Sequence, residues 1–262
     1  MSAINSENLK VALVQSDIVW LQPQQNLDNL TMKLQHIESV DLILLPETFA
    51  TGFAINLDVA EAEQGPVFNW MQTQAAAQNA VVAGSVLVEQ HGKKANRFYW
   101  CWPDGSFEFY DKRHLFCLGK EGDFVRAGDS RKVFTIKGFR LLPQICYDLR
   151  FPVFQRNRND YDVMVNVANW PAARRRIWDT LLQARAIENQ CYVLASNRVG
   201  DDGNGVAHNG GTAAYDFVGE ALALGEDNKS GVVITELSKE KLEQFRKSFP
   251  AHLDADDFSI NF

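Results

Sequence analysis

The stretch that organises this chain is Leu141-Leu142-Pro143-Gln144-Ile145-Cys146-Tyr147-Asp148-Leu149-Arg150-Phe151-Pro152. The mostly apolar run from Phe139 to Ile145 predicts a buried strand that ends at Cys146. Open α/β sheets carry their sites at the carboxyl ends of strands, so the thiol would lie at such an edge. A thiol is a good nucleophile when a neighbouring group takes its proton, but a free cysteine also packs well in a core. Both interpretations of Cys146 stay open at this point.

Two further strand ends carry a charged residue. Glu47 follows the apolar run Asp41–Pro46, and Lys112 follows the predicted strand Phe107–Asp111. If the three strand ends share one edge, a carboxylate, an ammonium and a thiol converge there. A carboxylate beside a thiol acts as a general base, and an ammonium stabilises an oxyanion. The alternative for Glu47 and Lys112 is a solvated position at a strand end, because charged residues are mostly exposed.

The order of predicted elements favours two packed sheets. About a dozen short strands fall in two similar halves, and they mix βα alternation with hairpins such as the one over Pro103–Ser106. The glycine-containing segment Leu115–Ser130 is predicted to be a long surface loop. This pattern predicts a single α/β (α+β) domain with mixed sheets and outer helices, and it argues against a parallel barrel.

Three helices are predicted from the spacing of apolar residues, at Gln24–Ser39, Pro66–Asn79 and Arg174–Gln190. Proline at the start of the second suits a first helical turn. The buried face of the third is predicted to consist of Ile177, Leu181, Ala184 and Ile187.

Composition and charge exclude several classes of protein. The chain has 262 residues, of which 46% are apolar and 23% charged, and its formal net charge is −7. No basic run is long enough for a phosphate-binding stripe, so no nucleic-acid partner is expected. No window approaches the ~18 apolar residues of a membrane helix, and Met1–Lys10 shows no signal-peptide pattern. We therefore expect a cytoplasmic protein that does not bind membranes.

Neither the cysteines nor the histidines form a metal-binding pattern. Cys101, Cys117, Cys146 and Cys191 show no paired spacing, which favours a reducing compartment over a disulfide framework. The five histidines are scattered, so no metal and no cofactor are expected.

Three segments resemble the catalytic motifs of the nitrilase superfamily, the carbon–nitrogen hydrolases, and they occur in the family's order. These are Leu45-Pro46-Glu47, Tyr110-Asp111-Lys112-Arg113-His114-Leu115-Phe116 and Ile145–Pro152. Asn169-Trp170-Pro171 and Ala184–Gln190 also resemble family segments. Ser196–Gly200 and Phe249-Pro250-Ala251 are similar to the bacterial omega-amidase branch.

The resemblance implies a four-layer αββα sandwich over residues 1–262. It also implies a homodimer or higher homo-oligomer, with a carboxy-terminal tail from about residue 239 at the dimer interface. The implied triad is Glu47, Lys112 and Cys146. A second glutamate would be Glu121, although Cys117–Gly122 departs from the family's wording, and a solvated loop position is the alternative.

The implied activity is hydrolysis of the terminal amide of short α-keto acid amides, of the 2-oxoglutaramate type, through a cysteine thioester. The backbone N–H of Tyr147 would join Lys112 in stabilising the oxyanion. Arg150 and Arg113 are candidates for binding the substrate carboxylate, and the alternative for Arg150 is to hold Asp148 or the turn. Phe49, Phe116 and Trp170 would either line the pocket or belong to the core.

Other activities stay open. Another amidase, a carbamoyl-amine hydrolase or a nitrilase would use the same three residues, and a non-catalytic binding protein would retain the fold alone. A thiol enzyme built on Cys117 and His114 is a further alternative. His114 is more simply expected to support its loop by hydrogen bonding.

Overall fold

Two stacked β-sheets with helices on both outer faces make up the fold in the computed structural model, which describes residues 8–262. Most of Met1–Lys10, where no signal peptide is expected, therefore lies outside the described residues. The strands are β1 (Asn8–Gln15), β2 (Leu42–Leu44), β3 (Glu61–Ala62), β4 (Val81–Gln90), β5 (Lys93–Cys101), β6 (Phe107–Asp111), β7 (Phe134–Ile136), β8 (Phe139–Ile145), β9 (Val163–Ala168), β10 (Tyr192–Asn197), β11 (Val199–Asp201), β12 (Ala207–Asn209), β13 (Ala213–Tyr215), β14 (Ala221–Leu224) and β15 (Gly231–Ser238). The helices are α1 (Pro23–Leu34), α2 (Pro66–Gln78), α3 (Pro152–Gln155), α4 (Arg175–Asn189) and α5 (Lys239–Ser248).

Both large sheets are mixed. The first has the order β15-β1-β2-β4-β5-β6, with β3 beside β4, and its parallel centre is β1, β2 and β4. The second has the order β14-β13-β10-β9-β8-β7, with parallel strands β8, β9 and β10. A separate two-stranded ribbon joins β11 to β12.

Alternation of side chains along the strands creates three layers of core. In β1, Val11 and Leu13 point into the space between the sheets, whereas Ala12 and Val14 face helices α1 and α2. On the other side, α4 packs Trp178 against the second sheet. The predicted four-layer αββα sandwich with mixed sheets is therefore confirmed.

The predicted buried face of α4 is wrong at two of its four positions, since Leu181 and Ala184 are half-buried. Ile177 and Ile187 are 38% and 54% exposed, whereas Trp178, Leu182 and Ala186 are fully buried. The helix is thus turned by about one residue, ~100°, relative to the expected orientation. The inward stripe also includes Arg185, whose guanidinium donates to the Leu149 carbonyl at 2.8 Å. A search for apolar spacing does not find this residue because its side chain is charged.

The segment Leu115–Ser130 is more ordered than predicted. It contains two short 3-10 turns, Cys117–Gly119 and Glu121–Asp123. The carboxylate of Glu121 is fully buried and accepts a hydrogen bond from the Phe116 N–H at 2.7 Å. The loop therefore closes around a buried charge.

The carboxy-terminal segment packs on its own chain. Arg246 of α5 donates to the carbonyls of Gln190 and Tyr161, at 2.9 and 2.8 Å, and the ring of Phe262 lies 6.3 Å from that of Phe154. A role for this tail at a dimer interface stays a prediction. Among residues 8–262, no helix combines the length and the apolar character that crossing a membrane requires.

Candidate active site

The strand ends that carry Glu47, Lys112 and Cys146 meet at one edge between the two sheets. All three residues line a single cavity of about 480 Å³. Glu47 and Lys112 lie beyond β2 and β6 of the first sheet, and Cys146 lies beyond β8 of the second. The sequence-based expectation that these three side chains converge agrees with this geometry.

Cys146 lies on a sharp turn, and the residue is half-buried in the cavity wall. Its φ is +46°, a left-handed conformation that non-glycine residues rarely adopt. The 3-10 turn Cys146–Arg150 begins at this residue, so Tyr147 supplies one of the first-turn N–H groups that have no partner within the turn. The Tyr147 N–H therefore follows the thiol directly along the backbone.

A buried aspartate fixes the turn. Asp148 accepts hydrogen bonds from the Ile145 N–H at 3.0 Å and from the Tyr110 hydroxyl at 2.8 Å. It also accepts from the N–H of His114 at 2.9 Å and lies 2.8 Å from His114 Nδ1. His114 thus ties the lysine motif to the cysteine motif, as its expected supporting role requires.

Glu47 is fully buried, and polar neighbours hold its carboxylate. Its Oε1 accepts from Asn96 Nδ2 at 2.8 Å and from Lys112 Nζ at 3.0 Å, and its Oε2 accepts from the Asn169 N–H at 2.8 Å. Asn169 Nδ2 also donates to the Glu47 carbonyl at 2.7 Å. A carboxylate fixed from three directions is oriented for proton transfer, and a solvated surface position for Glu47 is excluded.

Lys112 is shared between two carboxylates. Its ammonium lies 3.0 Å from Glu47 and 3.0 Å from Glu121, and all three side chains are almost completely buried. Burial opposes the charge of Lys112, but Glu121 and then Glu47 outweigh it and raise its pKa above the ordinary value. The solvated alternatives for Lys112 and Glu121 are therefore wrong, because each side chain is needed to balance the other's buried charge.

The surroundings of Cys146 favour the protonated form of its thiol. Burial, and next the charge of Glu47, raises the pKa of Cys146 well above its ordinary value, while Lys112 opposes the shift. A protonated thiol needs a base at the moment of attack. Glu47 lines the cavity together with Lys112 and Cys146, and its carboxylate accepts a hydrogen bond from Lys112. Glu47 is therefore the candidate for that base.

The aromatic candidates divide between cavity and core. Phe116 and Trp170 line the cavity. Phe49 is fully buried in the core between the first sheet and its helices, where its ring lies 5.7 Å from that of Trp70. Phe49 is therefore corrected to a core residue.

The arginine candidates also divide. Arg150 lines the cavity, with its guanidinium 5.1 Å from the ring of Trp170. The alternative that Arg150 holds Asp148 is wrong: Ile145, Tyr110 and His114 bind that carboxylate, and the ion pairs within residues 8–262 do not include Arg150. Arg113 is corrected too: its guanidinium donates to the carbonyl of Gly128 at 2.9 Å, and the residue is not part of the cavity wall.

Several residues at or behind the cavity wall are missing from the sequence-based candidates. Asn96 and Asn169 hold Glu47, and Asn169 follows strand β9, so the strand-end criterion applied to Glu47 would have found it. Arg174 lines the cavity just before α4. His208 of β12 lines it as well, and burial, followed by the charge of Arg198, lowers its pKa. No local pattern identifies Arg174 or His208.

Cys117 is exposed, and its sulfur lies 3.7 Å from the Tyr147 hydroxyl. His114 is occupied with Asp148, so the structure does not bring Cys117 and His114 together as a catalytic pair. Within residues 8–262, no group of three or more histidine, cysteine or acidic side chains is arranged to hold a metal ion.

Comparison with known proteins agrees with this geometry. Residues 10–247 match the family model described as carbon-nitrogen hydrolase. An omega-amidase, YafV, from Yersinia enterocolitica is 46% identical over 96% of this chain and 98% of the relative. A 2-oxoglutaramate amidase from Bacillus subtilis is 32% identical over 93% of this chain and 96% of the relative.

Among solved structures, XC1258 from Xanthomonas campestris is described as a CN-hydrolase superfamily protein with an arsenic adduct in its active site. It superposes with a TM-score of 0.94 at 43% identity, covering 97% of this chain and all of that one (100%). With the matched family model and the near full-length relatives, this shows that the chain belongs to the carbon–nitrogen hydrolase family of the nitrilase superfamily, in its omega-amidase branch.

Proposed function

We propose that this chain is a cysteine-dependent amidase that hydrolyses the terminal amide of short α-keto acid amides, of the 2-oxoglutaramate type, to the acid and ammonia. The observation that carries the proposal is the buried Glu47–Lys112 pair beside the Cys146 thiol in one cavity. A base, a cation and a nucleophile at one point are what acyl transfer requires.

In the first half-reaction, Glu47 takes the proton of the Cys146 thiol as the sulfur attacks the amide carbonyl. The S–C bond forms, and the carbonyl oxygen becomes an oxyanion that Lys112 and the Tyr147 N–H stabilise. The C–N bond then breaks, Glu47 delivers its proton to the nitrogen, and ammonia leaves behind a thioester.

In the second half-reaction, Glu47 takes a proton from water as the water oxygen attacks the thioester carbonyl. The C–S bond breaks, the carboxylic acid is released, and the proton held by Glu47 returns to the Cys146 thiolate. Glu121 takes no proton in this scheme. Its contact with Lys112 holds the ammonium in place, so we assign Glu121 as a positioning residue.

The substrate class is supported by the relatives named omega-amidase and 2-oxoglutaramate amidase, and by Arg150 in the cavity wall as a partner for a carboxylate. The test is ammonia release from a panel of amides, nitriles and carbamoyl amines, run in parallel on wild type and Cys146→Ala. We expect 2-oxoglutaramate to be among the best substrates and Cys146→Ala to be inactive. Faster turnover of a nitrile would contradict the proposal and indicate a nitrilase, and faster turnover of a carbamoyl amine would indicate a carbamoyl-amine hydrolase.

We further propose a homodimer in the cytoplasm, with residues 1–262 acting as one domain. A core that runs from Leu9 to Leu242 across both sheets supports the single domain. The outward apolar side chains of α4 support a homodimer, and the unpaired state of the four cysteines supports a reducing compartment.

A further inference from the structure

The wall of the active-site cavity carries more positive charge than the catalytic cluster uses. Lys120, Arg150 and Arg174 line it, and Asp202 is the acidic residue of the wall apart from Glu47. Both Glu47 and Asp202 are engaged: Glu47 faces Lys112, and Asp202 Oδ1 accepts the backbone N–H groups of Asn204 and Val206, at 2.8 and 2.9 Å. In a chain of net charge −7, this is a local excess of cations.

The two arginines lie against aromatic rings. The Arg174 guanidinium is 5.4 Å from the ring of Phe116, and that of Arg150 is 5.1 Å from the ring of Trp170. Contact with a ring face restrains a guanidinium and leaves its in-plane N–H donors available. The neighbouring Arg175 differs, because it pairs with Asp179 and Asp227, at 2.8 and 2.7 Å. The ion pairs found within residues 8–262 include neither Arg150 nor Arg174.

The backbone of Arg174 is tied to the segment that binds the proposed base. The Asn169 N–H binds Glu47 Oε2 at 2.8 Å, and the next residue, Trp170, donates its indole N–H to the Arg174 carbonyl at 2.9 Å. One short segment, residues 169–174, therefore contacts Glu47 at one end and presents a cation at the other. Such a connection sets the distance between the binding position of the reacting amide carbonyl and that of a carboxylate on the same ligand.

We propose that Arg174 is a specificity-determining residue that works with Arg150 to select amides carrying a carboxylate at the end remote from the amide. This inference rests on the proposed amidase function and assigns its carboxylate recognition to a residue outside the three catalytic motifs. The two guanidinium groups bind the carboxylate, while the amide carbonyl lies at Cys146. Uncharged amides of the same length lack this interaction.

The experiment compares succinamate with butyramide, which has the same chain length without the carboxylate. Ammonia release gives kcat and KM for wild type, Arg174→Met and Arg174→Lys. The matched control is Arg176→Met, since Arg176 is exposed on α4 and absent from the cavity wall. Calorimetric binding of succinamate to Cys146→Ala, with and without Arg174→Met, measures recognition independently of turnover.

We expect Arg174→Met to raise KM and Kd for succinamate by about 10- to 100-fold, the effect of losing a charged hydrogen bond, and to leave kcat/KM for butyramide unchanged. Arg174→Lys should recover part of the loss, and Arg176→Met should match wild type. If Arg174→Met lost the same factor in kcat/KM on both amides, or lost none on succinamate, the inference would be overturned. The proposed function would still hold in that case, provided that the wild type hydrolyses acid amides. A wild type that neither binds nor turns over any acid amide overturns both.

Discussion

Lys112 donates a hydrogen bond from Nζ to Glu47 Oε1 at 3.0 Å, although 65 positions separate the two residues in the chain. Both side chains are almost completely buried, so the contact compensates each of them for part of its lost hydration. Glu121 completes the arrangement from the far side of Lys112. A change at any of these residues therefore affects both the chemistry and the electrostatic balance of the cavity.

Glu47→Gln should lower kcat for amide hydrolysis by roughly 10²–10⁴, the usual contribution of a general base. An amide oxygen can still accept from Asn96 or Lys112, so the cavity should keep its shape, but no group remains to take the thiol proton. The measurement is steady-state ammonia release, with circular dichroism as a control for folding. A Glu47→Gln enzyme within tenfold of wild type would show that another group is the base.

Lys112→Met should reduce both activity and stability. The loss of one oxyanion donor should raise the barrier by on the order of 3 kcal/mol. The two buried carboxylates left without a cation should lower the free energy of unfolding by about 3–5 kcal/mol, as measured by urea denaturation at pH 7.

The double variant Lys112→Met/Glu121→Gln is the control for the electrostatic part of that effect. Removing one of the two carboxylates should restore part of the stability and none of the activity. If the double variant were as unstable as Lys112→Met, the destabilisation would have to come from packing and not from unpaired charge.

Asp162 should stabilise the folded protein near neutral pH, and this stabilisation should be lost in acid. Burial works against its charge, but hydrogen bonds from Arg140 and Lys239 outweigh burial and hold the pKa of this carboxyl below its ordinary value. A lowered pKa in the folded state stabilises the fold above the unfolded value of about 3.9, and this contribution is lost as pH falls below that value.

Asp162→Asn should therefore lower the free energy of unfolding at pH 7 by about 3–5 kcal/mol, because the buried guanidinium of Arg246 also loses its anion. The gap from wild type should narrow as the pH is lowered from 5 towards 3. Urea unfolding across that range measures the gap, and a gap independent of pH would contradict the electrostatic explanation.

Ile187→Glu should convert the proposed homodimer to a monomer. Ile187 is 54% exposed on the outer face of α4 and packs on Gly219, in a hairpin that also carries the exposed Val218 and Leu222. A charge placed in an apolar interface core carries a desolvation penalty without a partner. Light scattering after size exclusion measures the mass, and Thr180→Glu, a matched change at an exposed site of the same helix, should leave it unaltered. An unchanged mass for Ile187→Glu would place the interface elsewhere or exclude the dimer.

The sequence by itself determined the elements and three of the residues at the site. Continuous apolar runs predicted β2 and β8, because a strand that is buried on both faces is apolar at nearly every position. The placement of Glu47, Lys112 and Cys146 at strand ends could be predicted because each residue directly follows a predicted strand. The resemblance to the family motifs then implied that these three residues form a catalytic triad.

Only the tertiary structure decided which side chains share the cavity. Arg174 joins it, whereas Arg113 turns to the Gly128 carbonyl and Phe49 packs against Trp70, although all three lie near a motif. The inward face of α4 could not be predicted from its own sequence. The aliphatic residues predicted to be buried lie next to Trp178 and Arg185 in the chain, and only the packing of the helix on the second sheet selects the latter two. Burial and charge pairing depend on partners distant in sequence, so Glu121 could be identified as buried only once Lys112 was found beside it.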